Sequence, residues 1–220
     1  MIDMDYVNSL SPAEKEKIRS AKVAVIGCGG TGGYACELLI RLGVGTLVAV
    51  DGDCFCESNL NRQLYCTRET LGRSKARAVS ERAAQLDPGV NVVAVSEHIT
   101  EQNAEKILSG CDVVIDALDS FSARKIVFDA CKKLGITMLF GAVGAWRVQV
   151  GILPESCSYL SEVSAAQEYH GESVLPFVPS LCAAIEVAEA VKILTANEAA
   201  LSGKLLDIDL ISGETIEIDL

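Results

Sequence analysis

The chain has no feature typical of a secreted or membrane-bound protein. Its first residues, MIDMDYVNSLSPAEKEKIRS, contain no basic region followed by an apolar stretch. No apolar run approaches the roughly 18 to 20 residues that a membrane span needs. We therefore expect a soluble, cytoplasmic protein that does not associate with a membrane.

The sequence also contains no CxxC pair, although it has nine cysteines. Cysteine pairs at that spacing are typical of structural zinc sites. The only close pair is Cys54 and Cys56, whose side chains would point in opposite directions in an extended segment. We therefore predict reduced, mostly buried thiols and no structural zinc.

The composition gives no sign of a second domain or of a nucleic-acid partner. Five prolines are scattered, and no internal repeat or linker-like run divides the 220 residues. This predicts a single domain over residues 1–220. The formal net charge is −11, whereas a nucleic-acid-binding protein normally concentrates Lys and Arg on one face. The acidic balance argues against RNA or DNA as a partner.

Apolar strands and helices alternate along most of the chain. The predicted strands are KVAVIG (22–27), TLVAVD (46–51), NVVAVSE (91–97), DVVIDAL (112–118) and TMLFGAV (137–143). The predicted helices cover residues 11–20, within an N-terminal segment 1–20, and about 30–42, 74–86, 101–109, 120–134 and 179–195. Continuous apolar strands between helices are typical of a buried parallel sheet. The pattern therefore predicts a Rossmann-like α/β fold, with a mostly parallel sheet and helices on both faces.

Two regions depart from this alternation. Residues 154–178 show neither a helical nor a strand period, so we predict a long crossover loop there. Loops of this length are uncommon in compact domains unless they are functional. The segment KLLDIDLISGETIEIDL alternates around Ser212 and Gly213, and this predicts a C-terminal antiparallel hairpin at the sheet.

A glycine-rich segment follows the first predicted strand and opens the next helix. GCGGTG at 27–32 fits the pattern G-x-G-x-x-G. Gly27 permits a tight turn, Gly29 allows close approach of a phosphate, and Gly32 allows helix and strand to pack closely. Gly30 stands at the helix N-terminus, where free N–H groups attract anions. The segment therefore predicts a nucleotide phosphate site.

Asp51 ends the second predicted strand, 19 positions after Gly32. A carboxylate at this position can accept hydrogen bonds from ribose hydroxyls. Up to this point an NAD- or FAD-dependent enzyme fits as well as an ATP-dependent one. A tight helix–strand corner without a ligand is the alternative for the glycines.

Three further segments distinguish an ATP-dependent enzyme from an NAD- or FAD-dependent one. The chain continues D-G-D-C-F-C-E-S-N-L-N-R-Q (51–63), then G-R-S-K (72–75) and D-A-L-D-S-F-S-A-R (116–124). Together they resemble the ThiF/MoeB/HesA family, bacterial relatives of ubiquitin-activating enzymes. The resemblance runs from about Lys22 to Leu194.

The resemblance implies an ATP site with bound Mg²⁺. The residues assigned to it are Asp51 at the ribose with Asp53 in the same segment, Asn59, Arg62 and Lys75 at the phosphates, Gln63 after that arginine, and Asp119 at Mg²⁺. Arg62, Lys75 and Asp119 are the expected catalytic residues. Transfer to a carboxylate must offset the charges of the phosphates and the nucleophile, so fixed cations and a metal suit the reaction.

Plainer explanations exist for the same side chains. Arg62 and Lys75 could be solvated surface charges. Asp119 could cap the helix that begins near Ser120, although a second acid, Asp116, close to it at the strand end favours a metal. Arg124 also matches the family, and we expect it to be structural.

The chain departs from the family at its N-terminal segment and in its cysteines. No arginine precedes Arg19, so a nucleotide contact made by an N-terminal arginine in many members is missing, or is supplied by Lys15, Lys17 or another element. The two zinc CxxC pairs of many members are reduced to Cys157, which makes this a short form without zinc.

Three side chains could add covalent or substrate-orienting chemistry. Cys157 and Cys182 are minor candidates for a redox or acyl-carrying thiol, and adenylation without covalent transfer is the default. His170, in the predicted crossover loop, is more simply a solvated histidine.

The resemblance implies adenylation of the C-terminal Gly carboxylate of a ubiquitin-like sulfur-carrier protein ending in Gly-Gly, for thiamine- or molybdopterin-type sulfur transfer. A homodimer and a sulfur donor such as a cysteine desulfurase are implied as partners. The alternatives are an enzyme like tRNA threonylcarbamoyladenosine dehydratase, an NAD-dependent oxidoreductase, and a non-catalytic carrier-binding scaffold.

Overall fold

The fold is built from eight strands and six α-helices in the part of the chain that the structure describes. A computed structural model describes residues 9–87, 89–154, 156 and 174–220. The strands are β1 (Lys22–Ile26), β2 (Thr46–Val50), β3 (Asn91–Val95), β4 (Val113–Asp116), β5 (Thr137–Gly144), β6 (Arg147–Ile152), β7 (Lys204–Asp209) and β8 (Thr215–Asp219). The helices are α1 (Pro12–Ser20), α2 (Gly30–Arg41), α3 (Lys75–Leu86), α4 (Ala104–Leu108), α5 (Phe121–Leu134) and α6 (Phe177–Thr195).

The strands form one sheet in the order β3-β2-β1-β4-β5-β6-β7-β8. The pairs from β3 to β5 are parallel, and those from β5 to β8 are antiparallel. The predicted α/β fold and its C-terminal hairpin, β7–β8, are therefore confirmed. Because all five strands from β3 to β5 run the same way, their carboxyl ends meet at one edge, where ligands of open α/β sheets bind.

Helices cover both faces of the parallel half of the sheet. Along β1, Val23 and Val25 pack in one hydrophobic cluster with α2, α3 and α6, while Ala24 and Ile26 pack in another with α4 and α5. Alternate residues of a strand face opposite sides. A strand buried on both sides is therefore apolar along its buried length, as residues 23–26 of β1 are.

Helix α1 begins as the sequence predicts. Ser11 is its N-cap, Pro12 stands in the first turn, and Glu14 completes a capping box with Ser11. The helix buries Ile18, and Lys17 Nζ donates to the carbonyl oxygen of Thr195 at the end of α6.

The second half of the fold differs from the prediction in two places. Residues 147–152 form a regular central strand, β6, although VQVGIL alternates poorly; Gly151 and Ile152 are both buried because β5, β7 and α6 surround them. Helix α6 begins at Phe177, two residues before the predicted start. Of the predicted crossover loop, residues 155 and 157–173 lie outside the described residues.

The cysteines of the described chain are all free. Six of the eight are buried, and Cys54 and Cys56 are exposed. No helix among the described residues is both long enough and apolar enough to cross a bilayer.

Candidate nucleotide-binding site

A cavity of about 820 Å³ opens at the carboxyl ends of the parallel strands. The predicted site residues that line it are Gly27, Gly29, Gly30, Asp51, Asp53, Arg62, Gln63, Lys75 and Asp119. Gly32 and Asn59, also predicted, do not line it. One cavity thus brings together residues that are up to 92 positions apart in the sequence.

The glycine turn between β1 and α2 is held by main-chain geometry. Gly27 has φ +91°, which only glycine adopts without strain, and its N–H donates to the carbonyl oxygen of Val50. A Cβ on Gly32 would overlap the carbonyl oxygen of Gly27. Gly32 therefore keeps α2 against the turn, while Gly29 and Gly30 present main chain to the cavity.

Asp51 is fixed in orientation by two main-chain donors. Its Oδ2 accepts from the N–H of Cys28 at 2.8 Å, and its Oδ1 accepts from the N–H of Asp53 at 2.8 Å. Each carboxylate oxygen has a second lone pair for another donor. The side chain therefore ties β2 to the glycine turn and can still accept a hydrogen bond from a ligand hydroxyl.

Lys75 is the first residue of α3, and its side chain is largely buried. Its Nζ lies 3.1 Å from Asp53 Oδ2, and its exposed side-chain fraction is 10%, against 56% for Asp53. Its own N–H also donates to the carbonyl oxygen of Asp53. His98 Nε2 lies 3.7 Å from Asp53 Oδ1. The ammonium group is therefore held at the cavity wall by a carboxylate that the solvent reaches.

The segment from Asn59 to Gln63 forms a second wall. Asn59 Oδ1 accepts from the N–H of Cys56 at 3.1 Å, and the Asn59 carbonyl accepts from the N–H groups of Arg62 and Gln63. Arg62 Nη1 donates to the carbonyl oxygen of Ser58 at 2.9 Å. In this arrangement Asn59 shapes the loop and Arg62 faces the cavity.

Gln63 has a buried polar atom without a partner. It is 7% exposed, and its Oε1 makes no hydrogen bond within the described residues. A Cβ on Gly29 would lie 3.2 Å from Gln63 Nε2, so the amide stands directly behind the glycine turn. A buried amide oxygen left unsatisfied is costly, and a ligand or water in the cavity would remove that cost.

A buried ion pair holds the turn between β4 and α5. Arg124 Nη1 lies 3.1 Å from Asp116 Oδ2, and both side chains are almost fully buried. The N–H of Leu118 donates to Asp116 Oδ1 at 3.1 Å, and Arg124 Nη2 donates to the carbonyl oxygen of Leu118. The two peptide groups that flank Leu118, directly before Asp119, are therefore both fixed.

Burial raises the pKa of Asp116, and the charge of Arg124 only partly opposes this. The guanidinium of Arg124 also stacks over the ring of Phe140 at 4.8 Å. Asp116 does not line the cavity. The carboxylate of Asp116 is occupied by Arg124 and the N–H of Leu118, so the closeness of Asp116 does not itself support a metal at Asp119.

Asp119 is exposed and lines the cavity, and its side chain makes no hydrogen bond or ion pair within the described residues. Ser120, not Asp119, is the N-cap of α5. No group of three or more His, Cys, Asp or Glu side chains in the described part of the chain would hold a metal alone. Mg²⁺ usually binds one or two carboxylates together with substrate phosphates, so Asp119 fits a magnesium site that a nucleotide completes.

The remaining candidates do not reach this cavity or lie outside the described chain. Cys182 is fully buried, and burial raises the pKa of its thiol well above the usual value, so it is not an accessible nucleophile. Lys15 and Lys17 do not line the cavity. Cys157 and His170 lie outside the described residues.

Several lining residues were not predicted from the sequence. Glu97 and His98 follow β3, and Arg147 and Gln149 belong to β6. Glu97 and His98 had a usable signal, since they follow a predicted parallel strand at its carboxyl end. Arg147 and Gln149 had none, because β6 itself was not predicted.

The sheet order and a glycine turn backed by an acidic residue are typical of nucleotide-binding α/β proteins. Comparison with known proteins places the chain within this class. It belongs to the ThiF family, whose profile matches residues 4–220. The family predicted from the sequence is confirmed, and with it the enzyme class, an adenylyltransferase.

Three curated relatives illustrate the range of named activities. The chain is 31% identical over 210 residues to the SAMP-activating enzyme E1 of Haloferax volcanii, covering 92% of this chain and 78% of that protein. It is 32% identical to the sulfur carrier protein adenylyltransferase of Thermus thermophilus, covering 91% and 79%. It is 34% identical to the tRNA threonylcarbamoyladenosine dehydratase of Haemophilus influenzae, covering 61% of this chain and 52% of that protein.

Solved structures share the fold. A crystal structure of the Escherichia coli tRNA N6-threonylcarbamoyladenosine dehydratase in complex with AMP superposes with a TM-score of 0.75 at 23% identity. The match covers 89% of this chain and 94% of that one. At this identity the likeness shows the fold alone.

Proposed function

We propose that this protein uses ATP and Mg²⁺ to adenylate the C-terminal glycine carboxylate of a small ubiquitin-like sulfur-carrier protein. The observation that carries the proposal is the convergence of the glycine turn, Asp51, Arg62, Lys75 and Asp119 on one cavity. Two of the relatives described above are named for activating such carriers.

Each of these groups has a role that its chemistry allows. Main-chain N–H groups at the start of α2 would face the phosphates, and Asp51 would accept from the ribose. Arg62 supplies a planar fork of donors, whereas Lys75 supplies a point charge held in place by Asp53. Mg²⁺ beside Asp119 would offset further negative charge of the triphosphate.

The reaction joins the carrier carboxylate to AMP. A carboxylate oxygen attacks the α-phosphorus, the bond to the bridging oxygen breaks, and pyrophosphate leaves with that electron pair. The product is an acyl-adenylate. In this scheme the chain positions two anions against each other and offsets their charge, and it contributes no covalent nucleophile.

The proposed function also includes a sulfur donor, an oligomeric state and a cellular location. A sulfur donor such as a cysteine desulfurase would convert the adenylate to a thiocarboxylate, for thiamine- or molybdopterin-type biosynthesis. The enzyme would act as a homodimer in the cytoplasm. The family resemblance supports these statements.

A second candidate is a dehydratase that activates a carboxylate of modified tRNA. The similarity to the Haemophilus influenzae dehydratase, which covers 61% of this chain, favours this candidate. The net charge of −11 argues against it, because tRNA is a polyanion. Pyrophosphate exchange stimulated by tRNA, and by no protein ending in Gly-Gly, would favour the dehydratase.

The proposal is tested by exchange of labelled pyrophosphate into ATP, with recombinant ubiquitin-like sulfur carriers ending in Gly-Gly. Wild type should catalyse carrier-dependent exchange. Asp119→Ala and Arg62→Ala should each lower the exchange rate by about 100-fold or more, because the first removes the carboxylate that would hold Mg²⁺ and the second removes a cation that would face the phosphates.

Two substitutions outside the cavity serve as matched controls. Asp129→Ala and Arg73→Ala each break an exposed ion pair, with Lys125 and Glu81 respectively, and both should retain exchange. Normal turnover in Asp119→Ala would remove the magnesium assignment. Tight ATP binding without exchange for any carrier would instead indicate a non-catalytic scaffold.

A further inference from the structure

A second group of polar side chains lies in the same cavity, away from the glycine turn. Arg147 and Gln149, both on β6, line the cavity beside the end of β5. Asp207 on β7 holds both: its Oδ1 accepts from Arg147 Nε at 2.8 Å, and its Oδ2 accepts from Gln149 Nε2 at 2.9 Å. A guanidinium and a carboxamide are thus oriented by one carboxylate.

Asp207 is 6% exposed, so its charge is stabilised mainly by these two neighbours. The side chain of Arg147, in contrast, is 58% exposed. Only its Nε is used by Asp207, and its two Nη nitrogens make no hydrogen bond within the described residues. The pair therefore fixes the direction of a guanidinium whose outer edge can still donate.

The sheet order separates this group from the nucleotide residues. Strand β6 is three strands from β1 and two from β4. At about 4.8 Å per strand, β6 lies roughly 14 Å from β1 and roughly 10 Å from β4 across the sheet. Asp116 at the end of β4 pairs with Phe140, whereas Gln149 and Arg147 pair with Ala142 and Gly144, further along β5, so both lie farther from the end of β4 than the strand spacing alone. A nucleotide held by Gly27, Asp51 and Lys75 therefore leaves this end of the cavity to the second substrate.

The cavity wall between the two ends is formed mostly by small residues. It runs along the end of β5, where Gly141, Ala142, Val143 and Gly144 line it. Such a wall leaves room for an extended peptide, whose carbonyl oxygens are acceptors that a guanidinium can bind.

We propose that Arg147, oriented together with Gln149 by Asp207, is a subsite for main-chain carbonyl oxygens in the C-terminal tail of the protein substrate. This inference rests on the proposed function and deepens it. Arg147 is thus a specificity-determining residue for the second substrate.

The test compares kinetic constants of wild type and Arg147→Gln in pyrophosphate exchange with a recombinant carrier ending in Gly-Gly. KM for the carrier should rise about tenfold, with kcat and the KM for ATP changed less than twofold, because a charge-assisted hydrogen bond to the tail is lost. Asp207→Asn should act in the same direction. Arg147→Lys should raise the carrier KM almost as much as Arg147→Gln, because lysine has neither the planar guanidinium nor the Nε that Asp207 binds.

Arg73→Ala is the control, since Arg73 is 57% exposed and pairs with Glu81 outside the cavity; its constants should equal those of wild type. Isothermal titration with a synthetic carrier-tail peptide gives a second readout, in which Arg147→Gln should bind about tenfold more weakly. Unchanged carrier KM and unchanged peptide affinity in a folded Arg147→Gln would overturn the subsite. Absence of exchange in wild type overturns the proposed function instead, and the peptide titration still decides the subsite.

Discussion

Two adjacent glycines of α2 differ in whether the structure has room for a Cβ atom. A Cβ on Gly32 would overlap the carbonyl oxygen of Gly27, whereas a Cβ on Gly33 would be 3.6 Å from its nearest neighbour, the carbonyl oxygen of Cys28. Both residues are buried near the start of the same helix. The G-x-G-x-x-G motif assigns close packing to Gly32 and gives no role to Gly33, and the two contact distances agree with that difference.

We therefore predict opposite outcomes for the two alanine substitutions. Gly32→Ala must move α2 away from the glycine turn, so we expect a loss of about 2 kcal/mol or more in unfolding free energy and loss of ATP binding. Gly33→Ala should keep ATP binding and gain up to about 1 kcal/mol, because alanine is the better helix former. Urea unfolding and ATP titration measure both, and equal behaviour of the two variants would contradict the packing argument.

At the scale of one element, α6 carries two buried carboxyl groups in different surroundings. Glu189 accepts from Lys192 Nζ at 2.5 Å and from the N–H of Leu201 at 2.9 Å. Both oxygens of Glu186 are buried and make no hydrogen bond within the described residues. Burial raises the pKa of Glu186 well above 4.5, the nearby charge of Asp116 raises it further, and Arg124 opposes both.

The raised pKa of Glu186 predicts a pH-dependent cost of folding. Above pH 4.5 the native state keeps a proton that the unfolded state releases, so stability falls as pH rises from 4.5 toward the folded pKa. Glu186→Gln removes this linkage. The variant should gain stability relative to wild type as pH rises above 4.5, by up to about 1.4 kcal/mol per pH unit, in urea unfolding between roughly pH 5 and 8.

Glu189→Gln is the matched control on the same helix. It removes a carboxylate that Lys192 and the N–H of Leu201 already satisfy, so we expect it to lower stability. A stability difference between Glu186→Gln and wild type that does not change with pH would contradict the proton assigned to Glu186.

The same helix shows where sequence reasoning was limited. Apolar residues at helical spacing within the helix predicted at 179–195 include Leu181, Ile185 and Ala188, and these are half-buried or exposed. Its buried side instead includes Glu186 and Glu189. A helix packed against two strands and α2 is apolar on most sides, so its pattern indicates a helix but not the face that is buried. Strands β1, β2 and β4 were simpler to predict because both of their faces are covered.

At the scale of the whole molecule, the nucleotide end of the cavity was predictable and the β6 end was not. Gly27–Gly32, Asp51 and Lys75 follow recognisable local patterns. The Asp207 contacts to Arg147 and Gln149, in contrast, span 60 and 58 positions and depend on the pairing of β6 with β7. No local spacing encodes such a pairing, so the second subsite became visible only in the fold.

At the scale of the whole molecule, we also expect this cavity to distinguish ATP from NADH. The net charge is −11, yet Arg62 and Lys75 both line this cavity, so a triphosphate would meet cations there despite the acidic balance of the chain. A ligand at 100 times its Kd stabilises the native state by about 2.7 kcal/mol. We predict that Mg·ATP at such a concentration raises the melting temperature by roughly 5 to 10 °C.

NADH at the same concentration should leave the melting temperature within about 1 °C, because it lacks the terminal phosphates that Arg62 and Lys75 would contact. Differential scanning fluorimetry measures both shifts. Lys75→Ala should lower the shift with ATP, while Arg73→Ala, which breaks only an exposed ion pair outside the cavity, should keep it. A larger shift with NADH than with ATP would favour a dehydrogenase, and the charge complementarity argued for this cavity would then be wrong.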